Sequence, residues 1–271
     1  MRAPAVSGRF YPGVRSELER TVRELLAAVD DARPAPARAA VAPHAGYLYS
    51  GLTAAHVFAR LEIPPTVVIL APNHTGVSRA PGGASLWEAG AFRTPLGDVS
   101  VDDAFARALL ETSPLVGPDH AAHASEHAVE VELPFLQLRR ADVRIVPLIL
   151  AWDAWEGCLG LGQALAGLVQ RWPDRVLLLA SSDLNHYEPA ATSERKDRRA
   201  LQAVASLDGA ELLARCRAER ISMCGRAPTA TILAAARALG AWRADIVHYS
   251  HSGMVTGDAD AVVGYAGVVI P

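Results

Sequence analysis

The sequence predicts a single-domain α/β protein, spanning residues 1–271, in which helices cover a largely parallel central sheet. Short apolar runs of strand length alternate with longer amphipathic segments, as in a series of β-α-β units. Hydrophobic residues make up 51% of the chain, which is enough to build a sizeable core without disulfide bonds. Domains of this class commonly remain undivided at roughly this length.

Helix caps and apolar runs predict the elements of the first half of the chain. Ser16 and Glu19 form a capping-box pattern, and Ser50 and Ser125 are placed to cap two later helices. Pro134 should kink the last of these helices. In chain order, the predicted elements are a helix at 16–29, a loop at 30–38, a strand at 39–42, a helix at 50–61, a strand at 66–71, an irregular segment rich in Gly and Pro at 77–97, and helices at 102–111 and 125–140.

The second half of the chain continues the alternation of strands and helices. Pro147 lies inside the run VRIVPLIL and favours an edge position or a bulge for that strand. The last two strands are close in sequence, so they are expected to add an antiparallel part to the sheet. The predicted elements are a strand at 143–150, a helix at 153–169, a strand at 175–180, helices at 192–207, 209–219 and 227–239, and strands at 243–249 and 261–270.

Charge and composition exclude several classes of function. The formal net charge is −3 and no basic stripe carries interleaved aromatic residues, so we expect no nucleic-acid partner. No apolar run reaches the roughly 18 residues of a membrane span, and the N-terminus lacks the apolar core of a signal peptide. Cys158, Cys216 and Cys224 are a sparse, odd set, which fits a reducing compartment. We therefore expect a cytoplasmic protein without membrane contact.

Three predicted strands each run into residues that can bind a metal. His44 follows the first strand in APHAG, His74 follows the second in APNHTG, and Asp183 and His186 follow a later strand in SSDLNHY. Since ligand sites of open α/β sheets form outside the carboxyl ends of the strands, these side chains are expected to meet. A lone loop histidine is usually only solvated. Agreement across three strand ends favours a site for a transition metal, which neutral imidazole binds well.

Other residues of these motifs have alternative interpretations. Cys224 precedes an Ala-rich helix, whose N-terminus together with Arg226 should lower the pKa of the thiol and favour a metal-binding thiolate. Its alternative role is that of a small buried hydrophobe. Asp183 could orient a ring N–H, bind the metal or only cap a turn with Ser182. His186 could act as a general acid or base.

The stretch HASEHAVEVELPF concentrates polar groups at a predicted helix start. Glu126 and His127 could close the pocket, with a carboxylate that orients a metal ligand or with a substrate contact. Arg226 is a further candidate for such a contact. The alternative for the stretch is an ordinary first helical turn, in which acidic groups favour the helix dipole. Three histidines remain without an assigned function: His56, expected in a helix, and His248 and His251, which flank the last strands.

Several motifs in order resemble one known family. They are GRFYP, APHAGYLYSG, LAPNHTG, FRTPLGDV, EHAVEVELPFLQ, SSDLNHY and MCGRAPT, and they extend from about Ala5 to Val269. The chain resembles the Memo-like family, named for a mediator of cell motility in animals, whose bacterial members are called AmmeMemoRadiSam system protein B.

The resemblance implies a fold similar to that of the LigB-type class III extradiol dioxygenases, which hold non-haem Fe(II) with two His and one Glu. In the Memo-like site a Cys stands in place of the Glu. By motif, His44, His74 and Cys224 would be the ligands. His186 would match the general base, with Asp183 beside it. One departure is Ala227, where members of the family are expected often to carry His.

Three functions follow from these residues. The first is a mononuclear oxidoreductase that uses O₂ and an unknown small-molecule substrate, with Fe(II) preferred and copper or zinc as alternatives. The second is a non-catalytic metal-binding adaptor for a protein or peptide partner. The bacterial family name points to AMMECR-type and radical-SAM proteins as such partners. The third is metal-assisted hydrolysis with His186 as the base.

Overall fold

The strands of the computed structural model occur where apolar and β-branched residues are concentrated. The structure describes residues 1–30 and 32–271; Asp31, within the predicted loop at 30–38, lies outside the described residues. The strands are β1 (Ala39–Ala42), β2 (Thr66–Pro72), β3 (Ala84–Leu86), β4 (Ala91–Thr94), β5 (Gly97–Ser100), β6 (Val116–Pro118), β7 (Arg144–Leu150), β8 (Val176–Ser181), β9 (His186–Glu188), β10 (Asp245–His251) and β11 (Val262–Ile270).

The helices alternate with these strands along most of the chain. They are α1 (Arg15–Ala27), α2 (Tyr47–Phe58), α3 (Asp103–Thr112), α4 (His120–Ala124), α5 (Leu133–Arg139), α6 (Trp155–Arg171), α7 (Ala190–Ala205), α8 (Gly209–Ala218), α9 (Arg226–Ala238) and α10 (Gly253–Thr256). A 3₁₀ turn, Glu130–Glu132, precedes α5. Within the described ranges, no helix is long and apolar enough to cross a membrane.

The main sheet confirms the predicted α/β class. Its order is β10-β11-β1-β8-β2-β7-β3-β6, and β9 pairs with β11. The four central strands β1, β8, β2 and β7 are parallel. β10 and β11 add the antiparallel part that their closeness in sequence predicts. Every residue of β1, β2 and β8 is buried, as expected for parallel strands that are covered on both faces.

Two groups of helices cover the sheet. α9 contacts β1, β2 and β8 and is itself covered by α6, while α2 contacts β1, β10 and β11 and is covered by α1. The close approach of α6 to α9 requires a glycine, because a Cβ on Gly162 would lie 2.7 Å from the carbonyl oxygen of Thr231. α9 is buried on nearly all sides, and its small alanine side chains let its neighbours approach closely.

The edge or bulge position predicted for the strand with Pro147 is wrong. β7 is an interior strand between β2 and β3. The Pro147 carbonyl accepts a hydrogen bond from the backbone N–H of Trp87 at 3.3 Å, so its nitrogen faces the same neighbour. That neighbour, β3, has already ended at Leu86. A proline is tolerated there because no regular ladder bond is lost.

The helix predicted over residues 125–140 is confirmed only in its second part, over residues 130–139. Ser125 ends α4 instead of capping a new helix, and the chain becomes helical again only at Glu130. Pro134 lies in the first turn of α5, where its missing N–H is unneeded, so it kinks nothing. The carboxylate of Glu126 accepts the backbone N–H groups of His127 and Ala128, and these bonds hold the turn in place of a helix.

Some other elements differ from their predicted bounds or were not predicted. The segment predicted as irregular contains β3 and β4, which are too short to show a clear period. Ser16 and Ser50 do not cap their helices, which begin after Val14 and Gly46. Ser50 Oγ instead donates to the carbonyl of Ala45 at 3.0 Å. β9 was not predicted, since its three residues carry no apolar run.

Candidate metal centre

The three strand ends meet at one edge of the sheet. His44 follows β1 by two residues, His74 follows β2 by two, and Asp183 follows β8 by two. Since β1, β8 and β2 are adjacent and parallel, their carboxyl ends lie together. The rings of His44 and His74 are 5.1 Å apart between centroids, with their planes at 77°. The lone pairs of two rings at this angle can converge on one point.

A buried hydroxyl sets the tautomer of His44. Ser181 Oγ lies 2.7 Å from His44 Nδ1, 2.8 Å from the carbonyl of Ala128 and 2.8 Å from Glu132 Oε1. Burial raises the pKa of Glu132 well above its usual range, so this carboxyl is protonated and donates. Ser181 gives its own proton to the carbonyl, which can only accept. His44 Nδ1 must then donate to Ser181, and Nε2 keeps a free lone pair.

Glu132 and Ser181 are two site residues that the sequence did not predict. Ser181 directly follows the strand predicted at 175–180, and Glu132 lies in the stretch predicted as a helix start. Both are fully buried. Their only sequence signal is a carboxyl group and a hydroxyl in segments that are otherwise apolar.

A carboxylate holds His74 in the same way. Glu126 Oε1 accepts from His74 Nδ1 at 2.9 Å, and Oε2 accepts from the backbone N–H of His74 at 2.7 Å. Burial alone would lower the pKa of His74, but the hydrogen bond and charge of Glu126 raise it. Because Nδ1 of His74 is held by Glu126, Nε2 is the nitrogen that can bind a cation once it has lost its proton. Carboxylate–histidine pairs of this kind orient many metal ligands.

Cys224 faces the free nitrogen of His44. Its Sγ lies 3.3 Å from His44 Nε2 and accepts the backbone N–H of Asp183 at 3.2 Å. The predicted lowering of its pKa is wrong: burial raises the pKa of the thiol, and the charge of Asp183 raises it further. Arg226 does not compensate, because its guanidinium pairs with Asp153 at 2.8 Å.

His127 lies closer to the two ligand candidates than its sequence position indicated. Among the described residues, the ligand atoms of His44, His74 and His127 form a group within 4.8 Å of one another. The ring of His127 stacks on His74 at 22° and a centroid distance of 4.7 Å. Burial lowers the pKa of His127, so the ring is neutral. The planes of His127 and His74 are thus nearly parallel, whereas those of His44 and His74 are nearly perpendicular. Cys224, which faces His44, does not belong to this group of three.

Asp183 and His186 provide two groups that can hold a proton beside these ligands. Asp183 does not orient a ring N–H; its Oδ1 accepts the backbone N–H of His44 at 2.9 Å. Burial raises the pKa of Asp183 to about 7, against the hydrogen bonds it receives. His186 Nδ1 donates to the carbonyl of Ser222 at 3.0 Å, so Nε2 carries the lone pair. Burial lowers the pKa of His186, and the ring is neutral at pH 7.

The remaining singled-out residues lie apart from this cluster. Glu130 accepts the backbone N–H groups of Ala5 and Val6 and pairs with Arg2, so it ties the N-terminal segment to the domain. His56 and His248 stack on each other at 4.1 Å between centroids. His251 is buried with its Nε2 3.8 Å from Glu194, which leaves it outside the pocket.

A cavity of about 510 Å³ opens beside the ligand candidates. His74 and Cys224 lie in one wall, and Trp152 and Asn73 form others. Ala227, where a histidine is expected in relatives, lines it as a buried methyl group. The cavity is large enough for a small organic molecule, and the Ala227 side of it is apolar.

The donor set fits a soft or borderline transition metal. Two imidazole Nε2 atoms have free lone pairs because their Nδ1 atoms are engaged, and a sulfur faces one of them. Tetrahedral N and S ligands of a metal such as zinc stand about 3.5 Å apart. The observed 3.3 Å between His44 Nε2 and Cys224 Sγ is close to that separation. A cation bound by both atoms would displace the thiol proton of Cys224.

Comparison with known proteins gives consistent full-length matches. The sequence profile of the Memo-like protein family matches residues 2–269. A MEMO1 family protein of Methanosarcina barkeri is 40% identical over 271 residues, covering 100% of each chain. One of Methanopyrus kandleri is 39% identical over 281 residues, covering 99% of this chain and 98% of its own. A solved structure of an uncharacterised protein from Escherichia coli K12 aligns with a TM-score of 0.47 and 16% identity, over 78% of this chain and 88% of that one.

Proposed function

Since the chain belongs to the Memo-like protein family, we propose that it is a mononuclear, metal-dependent oxidoreductase that uses O₂. The proposed ligands are His44, His74 and Cys224. The observation that carries the proposal is the 3.3 Å contact between Cys224 Sγ and the free Nε2 of His44. Two nitrogens and one sulfur on one side of an ion leave open positions for O₂ and a substrate.

Ring orientation favours Cys224 over His127 as the third ligand. His44 and His74 meet at 77°, so their in-plane lone pairs can converge, whereas His127 is stacked on His74 at 22°. A thiolate in a carboxylate's place softens the site, which favours Fe(II), Cu(I) or zinc over magnesium or calcium. We propose Fe(II) as the working ion. When bound, it would supply the one-electron and O₂ chemistry that side chains lack.

Asp183 and His186 are proposed to move protons at this centre. With a pKa of about 7, the carboxyl of Asp183 can give or take a proton near neutral pH. His186 presents an unprotonated Nε2 because its Nδ1–H is held by the carbonyl of Ser222. The adjoining 510 Å³ cavity would take the small-molecule substrate. We propose that the protein works in the cytoplasm, beside AMMECR-type and radical-SAM proteins.

The ligand set is tested by anaerobic metal loading. Wild-type protein is expected to bind one Fe(II) per chain, measured by metal analysis after desalting. Cys224→Ser should weaken Fe(II) binding by about tenfold or more, while His127→Asn should leave it nearly unchanged. Equal Fe(II) content in the wild type and in Cys224→Ser would rule out this ligand set.

O₂ consumption tests the reaction class. Fe(II)-loaded protein with ascorbate as reductant should consume O₂ faster than the metal-free chain, measured with an oxygen electrode. His186→Ala should keep its Fe(II) and lose this activity. An unchanged rate in His186→Ala would remove the proposed base, and no metal-dependent O₂ uptake in the wild type would remove the oxidoreductase function.

A second candidate function rests on the three-histidine group. If His127 rotates to join His44 and His74, the three imidazoles form a set typical of catalytic zinc, which activates water for hydrolysis. The same variants then give the opposite pattern. Zinc content and cleavage of p-nitrophenyl acetate would be lost in His127→Asn and retained in Cys224→Ser.

A further inference from the structure

A second cavity, of about 310 Å³, adjoins the first one. The two cavities share Asp153 and Arg226 in their walls. The other walls of the second cavity include Arg217 and Arg220, from the end of α8, and Ser222. The Arg226–Asp153 ion pair therefore lines both this space and the cavity beside the proposed metal ligands.

The second cavity carries an excess of positive charge. Arg226 pairs with Asp153 at 2.8 Å, but within residues 1–30 and 32–271 neither Arg217 nor Arg220 has a carboxylate within 4.0 Å. The acidic groups nearest in the chain are engaged elsewhere. Glu219 pairs with Arg199 at 3.0 Å and Glu211 pairs with Arg215 at 2.6 Å. The residues that line the cavity thus include three arginines and one aspartate.

The backbone holds Arg220 in a position that usually belongs to glycine. α8 ends at Ala218, and the N–H of Ile221 closes the end of the helix on the carbonyl of Cys216 at 2.9 Å. Arg220 has a φ of +51° in this turn, where glycine is preferred because it has no Cβ. A cation at the end of a helix stabilises the dipole, which accounts for one arginine there. It does not account for two that line the same cavity as Arg226.

We propose that this cavity, defined by Arg217, Arg220 and Arg226 and here called the arginine notch, binds the oxyanion of a small-molecule ligand. Guanidinium groups bind phosphoryl and carboxylate groups through paired, charge-assisted hydrogen bonds. The excess of two positive charges matches a dianion. α9 begins at Arg226, so its N-terminal dipole end favours the same charge.

The notch also restricts which substrates the proposed oxidoreductase could bind. A molecule anchored by its oxyanion in the notch would reach the metal ligands across the Arg226–Asp153 pair. The substrate class is therefore an anionic small molecule with its reacting group at the opposite end. This last step rests on the proposed oxidoreductase function, whereas anion binding in the notch does not.

Calorimetric titration with inorganic phosphate and with malonate tests the notch. At low ionic strength, one equivalent of at least one of these dianions should bind per wild-type chain. The double variant Arg217→Gln/Arg220→Gln should weaken that binding by about tenfold, because two charge-assisted contacts are lost. Binding of phosphate alone would identify a phosphoryl group, and binding of malonate alone a carboxylate.

Arg237→Gln is the matched control, since Arg237 is an exposed arginine in the last turn of α9 and distant from the notch. It should bind the anion as the wild type does. The proposal is overturned if neither dianion binds the wild type, or if the double variant and the control bind equally.

Measuring Fe(II) content in the same samples separates the two proposals. Anion binding by a chain that takes up no metal would end the proposed function and leave the notch intact. Metal loading without anion binding would end the notch alone. Because both substituted arginines are exposed, the double variant should stay folded, which circular dichroism checks.

Discussion

Ser181 Oγ lies 2.7 Å from His44 Nδ1 and 2.8 Å from Glu132 Oε1, so one buried hydroxyl connects a protonated carboxyl to a metal-ligand candidate. The position of this hydroxyl determines which nitrogen of the ring is free. Glu126 does the same for His74 with a charged group. The two imidazoles are therefore oriented by different chemistry: a neutral hydroxyl for the buried ring and a carboxylate for the more exposed one.

Ser181→Ala should weaken metal binding and lower stability. The variant frees both tautomers of His44, and loss of such an orienting contact costs roughly 10- to 100-fold in metal affinity. It also leaves the buried Glu132 without a partner, which should lower the free energy of unfolding by about 1–3 kcal/mol. Chelator competition and urea unfolding measure the two effects. Ser206→Ala, on the surface, is the control, and equal behaviour of the two variants would contradict this role of Ser181.

Glu126→Gln should reduce metal affinity by at least about tenfold, because a neutral amide holds the Nδ1–H of His74 more weakly than a carboxylate does. Chelator competition with zinc measures the affinity. The solvent-exposed Glu24→Gln removes the same charge elsewhere and should have no effect. An unchanged zinc affinity in Glu126→Gln would show that His74 is oriented by other contacts or is not a ligand.

Metal binding should release a proton from Cys224. Burial and Asp183 raise the pKa of this thiol, so it is protonated throughout the neutral range and must lose its proton to bind. The metal affinity of the wild type should therefore rise about tenfold more per pH unit than that of Cys224→Ser. Any proton that His74 releases on metal binding is released in both proteins, so it does not contribute to the difference between their pH profiles. Parallel pH profiles between pH 7 and 8.5 would argue against a thiolate ligand.

Asp197 should make the stability depend on pH. Burial raises the pKa of this carboxyl to about 6, although the N–H of Asn185 and the hydroxyl of Tyr249 bond to it. The folded state thus holds the proton more tightly than the unfolded chain, whose Asp titrates near pH ~4. Its stabilising contribution is complete below about pH 4 and is lost as the pH rises to about 6.

Asp197→Asn removes this titration. Relative to the variant, the wild type should lose about 2 kcal/mol of unfolding free energy between pH ~4 and pH ~7. Urea unfolding at four pH values measures the difference. Glu62→Gln, an exposed carboxyl, should give a curve parallel to that of the wild type. If the Asp197→Asn curve is also parallel, folding does not shift the pKa of this carboxyl.

Periodicity predicted the elements whose own residues carry the signal. β1, β2 and β8 are runs of apolar residues that are buried in full, and the strand ends bring His44, His74 and Asp183 together as expected. It failed where a distant contact decides the local structure. Residues 125–129 have a helical pattern, yet the carboxylate of Glu126 accepts the backbone N–H groups of His127 and Ala128. The same carboxylate accepts the backbone N–H of the distant His74.

The sequence by itself determined the α/β class, the family and the edge of the sheet at which the polar residues gather, because these follow from local pattern and strand direction. Only the tertiary structure decided the proton states and partners. Cys224 has a raised pKa because burial and Asp183 outweigh a helix end, and Arg226 turns to Asp153. Glu132 and Ser181 orient a ring about 90 and 140 positions away along the chain. Electrostatic energies depend on distance and burial in space, and neither can be read from spacing along the chain.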